Sequence, residues 1–193
     1  MNYIKTKIPG VIILEPVVHK DARGYFMETF SKGDFERNVR PVDFVQDNES
    51  HSCRGVVRGL HFQKMPYAQS KLVRCIEGCV LDVAVDLRSD SPTYRQWVAV
   101  ELSAGNKRQL FLPRGMAHGF AVLSREATFV YKCDSYYHPE SEGGVNPFDP
   151  ELGIDWQISS TEAILSPKDT TRPCLKDIKN LDKTFNGNLY EAI

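Results

Sequence analysis

The sequence predicts an all-β fold, either a β-sandwich or a jelly roll, that encloses one pocket. Two observations lead to this prediction: apolar and polar residues alternate with a period of two in many short segments, and turn residues interrupt the chain about every 8 to 12 positions. Helical periodicity is sparse. The glycine fingerprint of dinucleotide-binding domains and the phosphate-binding P-loop are both absent from the sequence, so a nucleotide would be held by side chains on a β scaffold.

Period-two alternation is the pattern of a strand with one buried face, and it recurs along the middle of the chain. In chain order, strands are predicted at residues 58–63, 71–76, 80–87, 97–102, 109–112 and 127–132. Glycine, proline, asparagine and serine lie between them, where the chain must reverse. These turns are predicted at residues 77–78, 89–92, 103–106 and 113–115.

Helical signals are limited to three short pieces. They are a turn at residues 34–37, a piece near Ser160, and the segment 175–181, in which apolar residues are spaced by three. Because β-rich folds of about this length stay undivided, we expect one domain over residues 1–193, with residues 175–193 as a C-terminal tail.

Composition excludes several function classes. The chain has 24 basic and 25 acidic residues, whereas a general nucleic-acid or membrane-surface binder needs a basic excess. The longest apolar runs are far shorter than the about 20 residues of a spanning helix. The five cysteines lack zinc-knuckle spacing and no signal peptide is recognisable, so free thiols in a reducing compartment are expected. We therefore expect a soluble, cytoplasmic protein.

One cluster of residues carries the chemistry. The motif Arg58-Gly-Leu-His61-Phe-Gln and the nearby Gln69-Ser-Lys71-Leu-Val-Arg74 place an imidazole and three cations in two predicted strands. A core does not bury unpaired charge cheaply, so the cluster predicts a site for an anionic substrate. Strict alternation puts Arg58 and His61 on opposite faces of their strand, a conflict that a bulge at Gly59 would resolve. The cations expected to be solvated surface charges are Arg74, Lys107, Arg108 and Arg114.

The five histidines are isolated, and none forms the His-x-His pair of a metal site. We therefore expect no metal and no cofactor. A histidine near lysine and arginine suits removal of a proton from a carbon next to a carbonyl, since imidazole is a base near neutral pH. Lys71 is the candidate for stabilising the enolate that results.

Further motifs accompany the cluster in a fixed order. They are Gly115-Met-Ala-His118-Gly-Phe, Tyr131-Lys, Tyr136-Tyr137-His-Pro-Glu140-Ser-Glu142 and Ser166-Pro-Lys168-Asp169. With these motifs, residues 4–173 resemble the nucleotide-sugar 3,5-epimerase family typified by dTDP-4-dehydrorhamnose 3,5-epimerase. The resemblance implies the cupin version of the jelly roll and a cofactor-independent isomerase.

The resemblance also implies roles for individual residues. His61 matches the family's base and Asp169 the carboxylate that orients it, while Tyr131 matches the general acid on the other face of the sugar. With Lys71, these are the predicted catalytic residues. The predicted cation pool for a diphosphate is Arg23, Arg58, Lys71 and Lys168.

Other positions match residues that bind the substrate in the family. The segment 21–28, with Arg23, Phe26 and Glu28, resembles an early motif that reaches the nucleotide of the neighbouring subunit, which implies a homodimer. Tyr137 suits stacking on a base. The remaining predicted lining residues are Gln46, Asn48, His118 and Glu142.

The implied reaction converts dTDP-4-dehydro-6-deoxy-D-glucose to dTDP-4-dehydro-L-rhamnose by inversion at C3 and C5. One departure from the family pattern follows Glu142, where many relatives carry Trp-Asn-Asp and this chain has residues 145–150, Val-Asn-Pro-Phe-Asp-Pro. Three alternatives stay open: an epimerase of C3 or C5 alone, a non-catalytic sugar-binding cupin, and a metal-dependent cupin oxygenase. The missing His-x-His pair argues against the last.

Overall fold

Two antiparallel sheets form the body of the protein in the computed structural model, which describes residues 1–189. The six-stranded sheet contains, in spatial order, β1 (Asn2–Lys5), β2 (Ile12–Glu15), β10 (Gln109–Leu112), β7 (Lys71–Glu77), β12 (Glu126–Cys133) and β5 (Gln46–Cys53). The five-stranded sheet contains β13 (Glu142–Gly144), β6 (Val57–Gln63), β11 (Met116–Val122), β8 (Cys79–Asp86) and β9 (Trp97–Ser103). The smaller elements are the hairpin of β3 (His19–Asp21) and β4 (Gly24–Phe26), and the helices α1 (Lys32–Asn38) and α2 (Leu181–Thr184).

The sheets pack face to face around a central apolar layer. Alternation along β8 turns Val80 and Ala84 toward this layer, where they meet Val73 of β7 and Phe129 of β12. The ring of Phe129 stacks on Phe120 of β11 with 4.3 Å between the centroids. This arrangement of two packed antiparallel sheets is a jelly roll, and the all-β prediction is confirmed.

Each sheet also has a covered outer side. The other face of β8, with Val83 and Val85, packs against Trp156 and against Phe185 from the C-terminal segment. On the six-stranded sheet, the buried ring of Phe35 from α1 packs 5.1 Å from the ring of Phe111. The predicted tail is therefore packed on the body as far as residue 189, and residues 190–193 lie outside the described part.

Each alternating segment coincides with an observed strand, and its ends differ from the observed ends by at most one residue. Two strands beside the site, β11 and β5, are among those that were not predicted. All seven residues of β11 are buried, so it shows no alternation, and β5 is dominated by polar residues. The helical piece predicted near Ser160 was wrong: that segment is a turn in which the Ser159 carbonyl accepts bonds from Glu162 and Ala163.

A β-bulge interrupts β6 beside the site. His61 pairs with His118 and Arg58 with Phe120, so two residues of β6 oppose the single residue Gly119. Gly59 has a φ of +128°, and a Cβ there would lie 2.5 Å from the Gly119 Cα. The bulge changes the alternation, which is the physical reason why Arg58 and His61 reach one cavity.

No helix among residues 1–189 is long and apolar enough to cross a membrane. The expectation of solvated surface cations was wrong for Arg114, because its side chain is largely buried and its Nε donates to Asp134 at 3.0 Å. Asp134 also accepts from the Ser70 backbone at 2.6 Å, and this hydrogen bond ties the start of β7 to the end of β12.

Candidate active site

The candidate site is a cavity with two adjoining lobes between the sheets. The first lobe has a volume of about 410 Å³ and the second about 340 Å³. Both lobes are lined by His61, Lys71, Tyr131, Ser166 and Asp169. Residues that line only the first lobe include Ser50, Arg58, His118 and the apolar Phe120, Ile164 and Leu165. Residues that line only the second lobe include Gln46, Asn48, Gln63, Gln69, Cys133, Tyr137, Glu142 and Lys168.

His61 and Asp169 form a close pair at the junction of the lobes. The Nε2 of His61 lies 2.5 Å from the Asp169 Oδ1, and the carboxylate is buried whereas the imidazole is about one-third exposed to the cavity. Burial alone would raise the pKa of Asp169, but the hydrogen bond and charge of His61, with the hydrogen bond from Ser166 and the charge of Arg172, together hold that pKa below its ordinary value. An ionised Asp169 places the proton of neutral His61 on Nε2 and leaves Nδ1 as a base.

The opposite wall comes from the six-stranded sheet. Tyr131 of β12 and Lys71 of β7 lie together there, with the Lys71 Nζ 5.6 Å from the centre of the tyrosine ring. Burial raises the pKa of Tyr131, so its hydroxyl stays protonated at neutral pH. Burial lowers the pKa of Lys71, and nearby groups including Asp82 and Glu142 oppose that effect. The cavity thus has a base on one wall and an acid and a cation on the other.

A second carboxylate and imidazole pair lies behind the first lobe. The Nε2 of His118 lies 2.7 Å from the Oδ1 of Asp82, which is fully buried on β8. Asp82 was not predicted as a site residue. Its signal in the sequence is a charged residue in the middle of β8, at an inward position between apolar residues.

Three amide side chains hold the loop that carries Tyr137. Gln46 accepts from the Tyr137 backbone at 3.1 Å, Gln63 accepts from the His138 backbone at 2.9 Å, and Gln69 donates to the Ser135 carbonyl at 2.8 Å. Gln46 also donates to Asn48 at 2.9 Å. The predicted lining residues Gln46 and Asn48 therefore shape the second lobe as well as line it.

Glu142 gathers three partners at the edge of the second lobe. It accepts from the Tyr137 hydroxyl at 2.5 Å, from Lys168 at 2.6 Å and from Arg172. Burial would raise the pKa of Glu142, but these hydrogen bonds and cations hold it below its ordinary value. Arg172 was not predicted as a site residue, and no motif in the sequence marks it.

Three predicted site residues lie away from this cavity. Arg23, Phe26 and Glu28 belong to the β3–β4 hairpin or follow it directly, and all three are exposed. Arg23 forms an ion pair with Asp21 at 2.6 Å, with its side chain 90% exposed. Within one chain, the structure brings the other predicted site residues together and leaves these three apart.

A larger cavity of about 760 Å³ lies elsewhere, along β1, β2 and the loop after β8. Among the described residues that line it there is no histidine or tyrosine, and its Arg88 is bonded to Asp86. Across residues 1–189, no three histidine, cysteine, aspartate or glutamate side chains converge in a way that could hold a metal ion.

Comparison with known proteins agrees with this geometry. The family model for dTDP-4-dehydrorhamnose 3,5-epimerase matches residues 5–177. A dTDP-4-dehydrorhamnose 3,5-epimerase of Shigella flexneri is 55% identical over 170 residues, which cover 88% of this chain and 93% of the relative. A dTDP-4-dehydrorhamnose 3-epimerase of Streptomyces niveus is 43% identical, covering 84% of this chain and 78% of the relative.

Solved structures are similar over nearly the whole chain. A dTDP-6-deoxy-D-glucose-3,5-epimerase of Legionella pneumophila, crystallised in complex with dTDP-4-keto-L-rhamnose, superposes with a TM-score of 0.91. The two sequences are 46% identical, and the match covers 97% of this chain and 98% of that chain.

Proposed function

Because the chain belongs to the dTDP-4-dehydrorhamnose 3,5-epimerase family, we propose that it converts dTDP-4-dehydro-6-deoxy-D-glucose to dTDP-4-dehydro-L-rhamnose. The observation that carries this proposal is the His61–Asp169 pair, 2.5 Å apart, facing Tyr131 and Lys71 from the opposite sheet. C3 and C5 of the sugar both adjoin the C4 carbonyl, so one base and one acid on opposite walls suffice to invert either carbon.

His61 removes the proton from C3 or C5 in the first step. Asp169 fixes the imidazole tautomer and stabilises the imidazolium that forms. The electron pair of the broken C–H bond moves to the C4 oxygen and creates an enolate. The Lys71 ammonium stabilises this charge, with Arg58 as a second cation. Stabilisation of this kind is worth about 3 kcal/mol in a site that excludes water.

Tyr131 returns a proton to the opposite face of the same carbon. Its hydroxyl gives the proton as the enolate collapses to the ketone. Solvent then returns a proton to Tyr131 and takes one from His61. The raised pKa of Tyr131, caused by burial, keeps this proton available at neutral pH. Epimerisation results because the proton leaves toward one wall and arrives from the other.

The rest of the substrate extends across both lobes. We assign the diphosphate to Lys168, Arg58 and the partner-facing Arg23, because clustered cations are what a diphosphate requires. Tyr137 offers its half-exposed ring for stacking on the base. Gln46, Asn48, His118 and Glu142 complete the binding surface, while Phe26 and Glu28 accompany Arg23.

The second subunit is part of this proposal. The β3–β4 hairpin is exposed along its length, with Phe26 71% accessible, and it carries three residues assigned to the substrate. An exposed apolar ring on an arm of this kind suits a contact with another copy of the chain. We therefore propose a homodimer in which each hairpin completes the site of its partner.

The remaining parts of the proposal concern the whole protein. Residues 1–193 form one domain that needs no cofactor, because His61, Lys71 and Tyr131 supply the proton transfers and the charge stabilisation. All five cysteines are free, which fits a reducing compartment such as the cytoplasm. Turnover should accordingly survive treatment with a chelator.

The test is proton exchange in deuterated water. Purified chain and dTDP-4-dehydro-6-deoxyglucose are followed by NMR, and we expect enzyme-dependent exchange at both C3 and C5. The His61→Ala variant should lose at least about 1000-fold in turnover, the upper range for one acid-base group, with an unchanged circular dichroism spectrum. Near-wild-type turnover by that variant would contradict the assignment of the base.

A second candidate function is epimerisation of one carbon alone. The similarity to the Streptomyces niveus 3-epimerase favours it, as does the altered segment that follows Glu142. The same NMR experiment separates the two functions, because a single-site enzyme exchanges one of the two protons and gives a product with one inverted centre.

A further inference from the structure

Asp82 is a buried carboxylate that the proposed reaction does not yet use. It lies on β8 opposite Phe120, and His118 lies two residues away on the neighbouring strand β11, so both side chains share the inward face. Asp82 is 0% exposed and His118 7% exposed. The Oδ1 of Asp82 lies 2.7 Å from the imidazole, whereas Oδ2 is buried without a hydrogen-bond partner among the described residues.

A structural carboxylate on the same strand looks different. Asp86 is also fully buried, but its Oδ1 accepts from the backbone and Nε of Arg88, and its Oδ2 accepts from Arg88, Ser91 and Thr93. Both oxygens of Asp86 are thus satisfied, and the pKa of Asp86 is held low by these bonds despite its burial. A buried carboxylate with one unsatisfied oxygen destabilises the fold, so packing alone does not account for Asp82.

The bond to Asp82 fixes which nitrogen of His118 meets the cavity. Because Nε2 points to the carboxylate, Nδ1 is the nitrogen left for a ligand in the first lobe. His118 lines that lobe together with His61 and Lys71, which handle the reacting carbon and the developing oxyanion. Asp82 itself does not line the cavity and acts through the residues in front of it.

Lys71 lies on the sheet that faces β8, and it lines the first lobe together with His118, the hydrogen-bond partner of Asp82. Burial lowers the pKa of Lys71, and the groups that oppose this effect are Cys133 of β12, Asp82 of β8 and Glu142 of β13. Burial raises the pKa of Asp82, and His118 and Lys71 counteract it. The other titratable or charged groups that line the two lobes with Lys71 are Arg58, His61, His118, Tyr131, Tyr137, Lys168 and Asp169.

We propose that Asp82 is a positioning residue for the epimerisation: one oxygen orients His118 toward the first lobe, and the buried negative charge balances the ammonium of Lys71. This inference rests on the proposed function and deepens it. It predicts that removal of the Asp82 charge makes Lys71 lose its proton at a lower pH, because a cation without its neighbouring anion is less stable.

The experiment compares the wild type with Asp82→Asn, which keeps the side-chain size and removes the charge. The pKa of Lys71 is measured by NMR in protein labelled at lysine Nζ, with its signal identified by its loss in Lys71→Ala. We expect the pKa to fall by about one unit or more in Asp82→Asn. The alkaline limb of the kcat profile should move to lower pH by the same amount, with KM nearly unchanged.

Asp86→Asn is the matched control on the same strand. It should lower the melting temperature and leave the Lys71 titration and the alkaline limb where they are. If Asp82→Asn merely loses activity at all pH values while Lys71 titrates as in the wild type, the charge balance is disproved and Asp82 is only structural. Asp82→Ser provides the same comparison should the asparagine variant aggregate.

The two proposals fail in different ways. The Lys71 titration needs no substrate, so an unchanged titration overturns the inference even when the wild type is fully active. The proposed function is overturned if the wild-type chain catalyses neither deuterium exchange nor inversion at the sugar carbons. In that case the NMR titration of Lys71 still tests whether the charge of Asp82 balances that of Lys71. An unmoved Lys71 pKa in both Asp82 variants would end the inference.

Discussion

At the scale of single residues, the site depends on side chains whose charge is set by their surroundings. Asp169 is the simplest case. Its pKa in the folded chain lies below the unfolded value of 3.8, so its bond to His61 stabilises the fold fully above that value. The contribution is lost as the pH falls through the lower, folded-state pKa. At neutral pH the pair is therefore intact and ready to accept a proton.

The roles of His61 as base and Tyr131 as acid can be tested by removing the tyrosine hydroxyl. In Tyr131→Phe the base still removes the α-proton, but the opposite wall no longer has an acid, so the proton returns to the face that it left. We expect the rate of epimerisation to fall by about 100-fold or more while deuterium exchange falls much less. NMR of the sugar in deuterated water measures both rates in one sample.

The ratio of the two rates decides this prediction. Equal losses of exchange and inversion would show that Tyr131 is not the acid of the far face. Tyr136→Phe is a suitable control, because this neighbouring tyrosine is 63% exposed and lies outside the residues that line the two lobes. It should leave both rates close to those of the wild type.

At the scale of elements, the bulge in β6 decides whether the base and its cation share a cavity. Without the extra residue, strict alternation would send Arg58 and His61 to opposite faces of the sheet. The bulge is tolerated because neither Gly59 nor Gly119 has a side chain where the two strands approach each other. Arg58 can then bond Ser52 at 3.1 Å while it lines the first lobe with His61.

Gly59→Ala should therefore destabilise the protein and impair the site. Its Cβ would meet the Gly119 Cα at 2.5 Å and the His118 carbonyl at 2.8 Å. Gly24→Ala is the matched control, because Gly24 has the same φ of +128° but no atom within 4 Å of the added carbon. Urea denaturation should show that Gly59→Ala costs about 1–3 kcal/mol more than Gly24→Ala. Equal costs would mean that only the backbone conformation matters at Gly59.

The segment that carries Asp169 is held by a different device. Asp169 begins a short 3-10 helix that ends at Thr171, and the residue after it, Arg172, bonds Glu142 on β13. The Arg172 side chain also lies against Gly144, where a Cβ would be 2.5 Å from its Nε. Gly144 pairs with His61, so this contact ties the carboxylate segment to the strand of the base.

At the scale of the whole molecule, the substrate site that we propose is incomplete within one chain. The hairpin residues assigned to the substrate do not line the cavity of their own chain, and Lys107 of the body donates from its Nζ to the Tyr25 hydroxyl of the hairpin at 2.9 Å. In the proposed homodimer, each site combines His61 of one chain with Arg23 of the other. Two inactive variants with different defects should then complement each other in a mixed dimer.

Mixing two inactive variants tests this arrangement. His61→Ala and Arg23→Ala are purified separately, mixed under conditions in which subunits exchange, and assayed for turnover. In a mixed dimer one site receives both defects and the other receives none, so we expect recovery of about a quarter of the wild-type activity. Sedimentation equilibrium of each variant checks that the dimer persists.

The alternative arrangement gives a clear contrast. If each hairpin folded back on its own chain, every site in the mixture would carry one defect, and activity would stay at the level of the separate variants. A monomer in sedimentation equilibrium would equally contradict the proposed homodimer.

The sequence by itself was enough for the fold class, for most central strands and for the candidate residues. Alternation is a local property, so it reveals a strand such as β12 without knowledge of its neighbours. The motifs around His61, His118, Tyr131 and Lys168 are also contiguous, which is why the site residues could be named in advance. Arg23, the predicted cation of the hairpin, was named in the same way.

Only the tertiary structure decided which of these residues meet. His61 and Asp169 are 108 positions apart, and nothing in the spacing of the chain brings them within hydrogen-bonding distance. The bulge at Gly59 turns Arg58 to the face opposite the one that alternation predicts. A bulge is a feature of two paired strands, so it forms only when β6 and β11 come together. Asp82 and Arg172 could not be identified as site residues from the sequence, because their roles depend on partners on other strands. Burial and charge pairing are properties of the packed sheets and not of a single segment.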